Sequence, residues 1–375
     1  MFRLEMLPAG HGDCLLLEYG NASAHHQVLI DAGPYYSYRS LARRLDTLVR
    51  SEPALELFVV THVDADHIDG AIKVLGALRP GDQLRDVWFN GWCHLKPGRR
   101  SNSDPKDTLG PPHGEMLSAL ILERGLPWNH AFNEGAASLE GDGALPTQSL
   151  AGDLSLTLLS PGPAELEALD VEWNREVRAI GMEPGSTEDA LKLLRSKARY
   201  RPPKDLMGAD RPDVEVDATK AFIEDSSKTN LSGIAFLAEY DGKSCLCAAD
   251  AHPSVLARSL RRLCITRGLS RLKIDAVKLS HHGSSGNTSQ ELLRLIDCKH
   301  FLVSTNGKGG FHHPDREAIA RVIKTGGDGV QLWFNYRSPE SCIWDDPWLK
   351  RRYYQYGTHY PDEGQQGLVV PISEM

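Results

Sequence analysis

Hydrophobic and polar positions alternate with period two at the start of the chain, Phe2-Arg3-Leu4-Glu5-Met6-Leu7, which predicts a strand over 2–7 with one face buried. The next apolar run, Cys14-Leu15-Leu16-Leu17-Glu18-Tyr19, breaks that alternation and reads as a strand buried on both faces. Further strands are predicted over 27–31 and 57–61 and helices over 39–51 and 69–77, with Asp31-Ala32-Gly33-Pro34 as a chain-breaking turn. A second half restarts at 231 in the same order. It has strands over 231–239 and 244–249, a helix over 253–267, a strand over 274–279, a helix over 288–296, a strand over 300–304 and a helix over 314–324. The likeness of the halves is one of element order, with no detectable sequence repeat.

Two stretches depart from this rhythm. Residues 94–150 are rich in Gly, Pro, Ser and Asp with one helical patch near 114–124, and residues 163–228 are charged and mostly helical. Both read as insertions into a single domain spanning 1–330. The densest basic run, Arg195 to Lys204, is either a phosphate contact or a solvated loop. Residues 331–375 form an aromatic-rich C-terminal extension (Trp333, Phe334, Tyr336, Trp344, Trp348, Tyr353, Tyr354, Tyr356 and Tyr360). It packs either on the domain or on a protein partner.

Composition narrows the class. With 375 residues, 41% hydrophobic and 25% charged, the chain is an ordinary globular protein able to bury a large core. A net charge of −8 argues against broad adhesion to nucleic acid or anionic membrane, although a local basic groove is compatible with it. No apolar stretch reaches transmembrane length and the amino terminus lacks a signal-peptide pattern, so a cytoplasmic location without a membrane partner is expected. The seven cysteines include no CxxC pair, and Cys245 and Cys247 read as reduced core residues.

The chemistry concentrates at strand ends. Thr61-His62-Val63-Asp64-Ala65-Asp66-His67 directly follows the apolar run Leu57-Phe58-Val59-Val60, placing four potential metal ligands within six residues. His and Asp are costly to bury unless paired, hydrogen-bonded or metal-bound. Three further clusters follow apolar strands: Asp250 after 245–249, His281-His282 after 276–280, and His312-His313 after 301–304. A carboxylate between two ions can bridge them while imidazoles complete a divalent site. Helix and turn capping, with Asp69 as an N-cap, accounts for some of the carboxylates but not for the histidines.

These motifs resemble the metallo-β-lactamase superfamily, and more narrowly the hydrolase domain of competence proteins of the ComEC/Rec2 type. The resemblance rests on Gly10-His11-Gly12-Asp13, Leu29 to Gly33, the His62-x-Asp64-x-Asp66-His67 loop with Gly70 behind it, Ala249-Asp250, and Lys278 to Ser284. It covers roughly 1–90 and 229–325 and implies an α/β fold, a four-layer αββα sandwich carrying the two insertions, with a metal site at one edge of the sheets. It also implies His62 and Asp64 on a first ion, Asp66 and His67 on a second, Asp250 bridging, and one of His281 and His282 completing the second site. Neighbouring strand residues point to opposite faces, so the two histidines are not expected on the same ion.

Two departures matter. Asp64 stands where most superfamily members carry histidine, and the histidine expected between the halves is absent from Asp225 to Ser232. The ligand set is therefore richer in oxygen, which tilts preference from Zn²⁺ towards Mn²⁺ or Mg²⁺ and allows one ion or two. The implied activity is a metal-dependent hydrolase using metal-activated water, most simply a phosphodiesterase or nuclease. The catalytic candidates are Asp66, to orient the nucleophile, His282, to hold a substrate oxygen if His281 is the ligand, and His313, to protonate the leaving group. His11 either supports the site or belongs to a turn, and Asp13 and Asp31 are expected to hold loops. The alternatives are hydrolysis of a small ester, lactam or nucleotide in a pocket closed by the insertions, or a partner-dependent subunit of an assembly.

Overall fold

The computed structural model describes residues 1–375 except 22, 39–40, 43, 45–47, 49–54, 78–83, 97–111, 142, 181, 183, 197–211 and 309–311. The predicted helix over 39–51 and the basic run from Arg195 fall largely outside the described residues.

The first half supplies β1 (Phe2–Met6), β2 (Leu15–Gly20), β3 (His25–Ile30), β4 (Leu57–Val59) and β5 (Val87–Trp88). The middle and second half supply β6 (Thr147–Ser149), β7 (Ser155–Ser160), β8 (Ala235–Tyr240), β9 (Lys243–Cys247), β10 (Leu272–Lys273), β11 (Ala276–Lys278), β12 (Ile296–Asp297) and β13 (His300–Val303). The C-terminal region adds β14 (Gln331–Phe334), β15 (Gly357–His359) and β16 (Leu368–Val370). One sheet runs β16-β1-β2-β3-β4-β5 and the other β15-β14-β13-β11-β9-β8-β7-β6, while β10 and β12 pair by themselves. In the larger sheet β9, β11, β13, β14 and β15 are parallel neighbours, and in the smaller sheet β3, β4 and β5 are.

Three hydrophobic clusters separate the layers. Leu15, Leu17 and Tyr19 of β2 face Phe236, Cys245 and Cys247 between the sheets. Leu16, one residue away, faces outward to Ile68, Leu75, Leu117 and Trp173. The larger sheet turns Leu237, Leu246 and Val277 outward to Leu256, Leu260 and Ile319. The outer helices are α1 (Ala65–Ala77), α2 (Pro112–Glu123) and α3 (Pro163–Arg178) on one side, with α4 (Thr187–Ser196) packed on α2. On the other side lie α5 (Val214–Thr219), α7 (Pro253–Arg267), α8 (Gln290–Arg294) and α9 (Arg316–Gly326), while the short α6 (Lys228–Leu231) packs on α3. This is the four-layer αββα sandwich that the resemblance implies. It also explains the broken alternation in β2, because both faces of the strand are covered. Each of its fully buried leucines contributes roughly 1.5–3 kcal/mol.

Residues 331–375 are woven into both sheets: β14 and β15 extend the larger one, and β16 pairs antiparallel with β1 in the smaller. Trp344, Tyr353 and Tyr356 are buried against the α7–α9 layer, whereas Trp348 remains 46% exposed. No helix among the described residues is long and apolar enough to cross a membrane. Cys245 and Cys247 are buried free thiols.

Three local expectations are corrected. Helix α1 begins at Ala65 and not at 69, because the Asp64 carbonyl already accepts the His67 and Ile68 amides at 3.0 Å. Asp66 and His67 thus lie in its first turn, and Asp69 is inside the helix and is not its N-cap. The strand expected from 231 starts at Ala235, since 228–231 makes a helical turn whose Asn230 amide is capped by the Ser227 hydroxyl. Strand β7, between the two insertions, was not anticipated, although Leu154-Ser155-Leu156-Thr157-Leu158 alternates; its short pattern sits between two irregular segments.

Candidate metal centre

The chain delivers its acids and imidazoles at the carboxyl ends of strands from both sheets: β4 of the smaller sheet leads into His62–His67, and the parallel neighbours β9, β11 and β13 of the larger lead into Asp250, His281-His282 and Ser304. Open α/β sheets place ligand sites at such strand ends. Close packing seats the first segment. A side-chain carbon on Gly70 would lie 1.9 Å from the Ala32 carbonyl, and one on Gly12 would lie 1.8 Å from that of Asp66, so glycine alone permits these approaches.

The buried imidazoles of His62, His67 and His282 each have Nδ1 occupied. His67 Nδ1 donates to Asp31 Oδ2 at 2.8 Å, and Asp31, held at φ 56°, also accepts the Thr61 amide at 2.8 Å and hydroxyl at 2.7 Å. His282 Nδ1 donates to the Ser304 carbonyl at 2.9 Å, and His62 Nδ1 donates to Thr61 Oγ1 at 2.9 Å. These bonds assign the tautomers and leave each Nε2 as a lone-pair donor, as carboxylate and carbonyl partners do for metal-bound histidine.

The three Nε2 atoms converge on Asp250. Its Oδ2 lies 3.4 Å from His67, 3.9 Å from His62 and 3.9 Å from His282. His282 Nε2 is also 3.4 Å from Asp66 Oδ2, and His62 Nε2 is 3.7 Å from Asp64 Oδ2. All three Nε2 atoms and Asp250 Oδ1 are buried without a hydrogen-bond partner. An unsatisfied buried polar atom costs about 1–3 kcal/mol, so such a cluster is expensive unless something binds it. Donor atoms of His62, His67 and Asp250, and those of Asp66, His67 and His282, lie within 4.8 Å of one another. The residues fit one divalent ion, or two sharing Asp250, held by nitrogen and carboxylate oxygen.

The electrostatics agree with this. Burial disfavours the charged form of His67, yet Asp250, Asp66 and Asp31 outweigh it and hold the imidazole well above its ordinary value. His282, with burial opposed by Asp13 and Asp250, rises to about 9. Burial would raise Asp250, but His67, His281 and His282 hold it well below the carboxylate range. The acids draw positive charge into the pocket, which protons supply when no ion does.

The tandem histidines correct one expectation. His281 and His282 lie beyond the end of β11 in left-handed turn geometry, with φ of 47° and 53°, so the strand rule of opposite faces does not apply. Both rings face Asp250: His281 Nε2 is 3.8 Å from its Oδ2. His281 is half-buried, and its Nδ1 lies 3.0 Å from Asn287 Oδ1 and 3.4 Å from Asp225 Oδ2. His313 stands further out, its ring centroid 5.2 Å from that of His281 and its Nδ1 3.2 Å from Asp315 Oδ1. His312 is exposed, 3.4 Å from Glu340. His11 pairs with the Tyr36 hydroxyl at 2.6 Å and lies near enough to Asp66 and His282 to feel their charge.

Sequence reasoning missed several partners. Asp225 accepts from Asn230 Nδ2 at 2.7 Å and Asn287 Nδ2 at 3.2 Å, which holds it against His281. The Thr229 side chain favours the charged form of the Asp64 carboxyl, which burial pushes up. Around Asp225, where the sequence offers no imidazole between 225 and 232, space supplies His281 and His252, the latter with Nε2 3.7 Å from Asp225. Asp13 pairs with Lys278 at 2.7 Å, both fully buried. A lone lysine in an apolar strand was the available signal for that pair.

A cleft of about 540 Å³ opens beside Asp64, lined by the metal loop, the start of α2, one face of α3 and residues 226–229. Both insertions therefore contribute walls.

No family model matches the chain. A stretch of 74 residues, 18% of this chain, is 27% identical to the ComE operon protein 3 of Bacillus subtilis (strain 168) and covers 9% of that protein. Among solved structures, CmlA, a diiron beta-hydroxylase from Streptomyces venezuelae, aligns over 98% of this chain and 54% of its own, at 12% identity and a TM-score of 0.41. MEM-A1, a subclass B3 metallo-beta-lactamase isolated from a soil metagenome library, aligns over 74% of this chain and 75% of its own, at 12% identity and a TM-score of 0.29. The chain thus spans under a tenth of the curated relative and about half of the diiron protein.

Proposed function

We propose that the protein is a metal-dependent hydrolase and, within that class, a phosphodiesterase whose substrate is nucleic acid or another phosphodiester. The observation that carries the reading is the convergence of three unpartnered, buried imidazole nitrogens on Asp250, flanked by Asp64 and Asp66. Asp66, His67, His282 and Asp250 would hold one ion, and His62, Asp64 and Asp250 a second. A divalent ion there supplies the Lewis acidity that makes water a nucleophile at neutral pH and offsets charge growing on a phosphoryl group.

The chain's own groups do the rest. Asp66, which retains partial exposure, orients the attacking water from the open side of the pocket. His281, gripped by Asn287 and Asp225, presents Nε2 to a non-bridging substrate oxygen. His313, next to it at the rim and steadied by Asp315, delivers a proton to the leaving alkoxide. A second reading, hydrolysis of a small ester or nucleotide, is favoured by the cleft, whose volume of about 540 Å³ suits a small molecule.

The test is cleavage of labelled single-stranded DNA, duplex DNA and RNA, and of bis(4-nitrophenyl) phosphate, with Mn²⁺, Mg²⁺ or Zn²⁺ added separately. Cleavage that disappears in Asp66→Ala supports the phosphodiesterase. Inactivity on every diester with every metal moves the assignment to the small ester.

A further inference from the structure

The loop that follows the tandem histidines turns back and buries Asn287, which is 1% exposed. Its Nδ2 donates to the Asp250 backbone carbonyl at 3.0 Å and to Asp225 Oδ2 at 3.2 Å. A backbone carbonyl and an ionised carboxylate only accept, so both amide hydrogens are committed and the orientation of the side chain is fixed. Oδ1 then faces His281 Nδ1 at 3.0 Å, where an oxygen takes a hydrogen from the ring. Asn230 Nδ2 is 3.4 Å from the same nitrogen but donates to Asp225 at 2.7 Å. His281 therefore carries hydrogen on Nδ1, and Nε2, 3.8 Å from Asp250 Oδ2, is the nitrogen left to face the centre.

The same amide ties the ring to the backbone of the carboxylate on which the other imidazoles converge. An imidazole can turn about χ2 and exchange its two nitrogens, and a fixed oxygen at Nδ1 selects one orientation. We propose that Asn287 is a positioning residue of the reaction: it holds His281 with hydrogen on Nδ1 and anchors it to the Asp250 backbone, so that Nε2 meets the substrate oxygen. Asn287 itself touches neither the ions nor the substrate and acts through His281. The inference rests on the phosphodiesterase reading for what His281 contacts, while the state of the ring can be measured apart from it.

The experiment is a double-mutant cycle on bis(4-nitrophenyl) phosphate together with nitrogen magnetic resonance of histidine-labelled protein. Asn287→Ala lowers kcat/KM about tenfold in the wild-type background, as loss of one buried hydrogen bond does, and lowers it no further in His281→Ala. An equal loss in both backgrounds, which a merely structural asparagine would give, overturns the proposal. The spectra are recorded at alkaline pH, where imidazoles are neutral, and His281 is identified by the signals missing from His281→Ala. The wild type shows hydrogen on Nδ1 alone, and Asn287→Ala loses that single tautomer. A wild-type ring with hydrogen on Nε2, or an Asn287→Ala variant that keeps the wild-type tautomer, overturns the proposal. The wild-type spectrum decides even if Asn287→Ala does not fold. If the wild type cleaves no diester, the phosphodiesterase reading fails by itself, and the spectra still decide whether Asn287 sets the His281 ring.

Discussion

Glu115 is a buried carboxyl outside the metal pocket, and its titration should be visible in the stability of the whole protein. It lies in the first turn of α2, is 2% exposed, and its Oε1 accepts the Trp173 indole N–H at 3.3 Å and the Gly185 amide at 2.9 Å. These bonds tie α2, α3 and the turn before α4 together. No cation among the described residues offsets the group, and burial, only partly countered by the Gly185 amide, pushes it from 4.5 to about 7. Between those values the folded protein holds a proton that the unfolded chain has released, so stability falls as pH rises through this window and stays low above it. At 1.36 kcal/mol per unit the loss is about 3 kcal/mol. Glu115→Gln keeps an oxygen for both donors and cannot ionise. Urea unfolding followed by tryptophan fluorescence at pH 4, 6 and 8 should show the variant gaining on the wild type by up to about 3 kcal/mol between the extremes. Any pH-independent offset reflects the amide's own fit. Parallel stability curves for the two proteins would refute the assignment of a raised carboxyl at this position.

Asp250→Asn should abolish tight metal binding, read by calorimetry and elemental analysis, while the far-ultraviolet spectrum stays that of the wild type; retained stoichiometric metal would contradict the shared-carboxylate geometry. Metal uptake at neutral pH should release protons, because the surrounding acids hold His282 at about 9 and raise His67 well above its ordinary value. Calorimetry in buffers of different ionisation enthalpy measures that release, which should diminish as pH rises past about 9. Lys278→Met removes the ammonium from the buried Asp13 carboxylate, leaving it only the His282 ring at 3.5 Å, and should cost about 3 kcal/mol in urea unfolding, with Lys278→Met/Asp13→Leu recovering most of it. A single variant as stable as the wild type would show that the pair is not needed.

Much of the centre was legible before any coordinates. The apolar run into His62–His67, Asp250 after β9 and the tandem histidines after β11 all lie where a strand ends, and burying such residues without a partner is expensive, so their chemistry could be inferred from order alone. The layers followed similarly, because β2 cannot bury Leu16 and Leu17 on opposite faces unless both sides are covered. Other features had no local signature. That His281 and His282 both face Asp250 depends on two left-handed residues, which no side-chain pattern announces. The grip of Asp225 on His281 and the seating of Gly12 on Asp66 join residues more than fifty positions apart. The aromatic tail likewise carried no local sign of where it packs, and the pairing of β14 and β16 places its strands in opposite sheets. The chain by itself determined which acids and imidazoles stand at strand ends and which strands must be covered, since those depend on local period and on the cost of burial. Only the tertiary structure decided which nitrogens converge and which acids orient them, because distances between remote segments are set by how the two sheets pack.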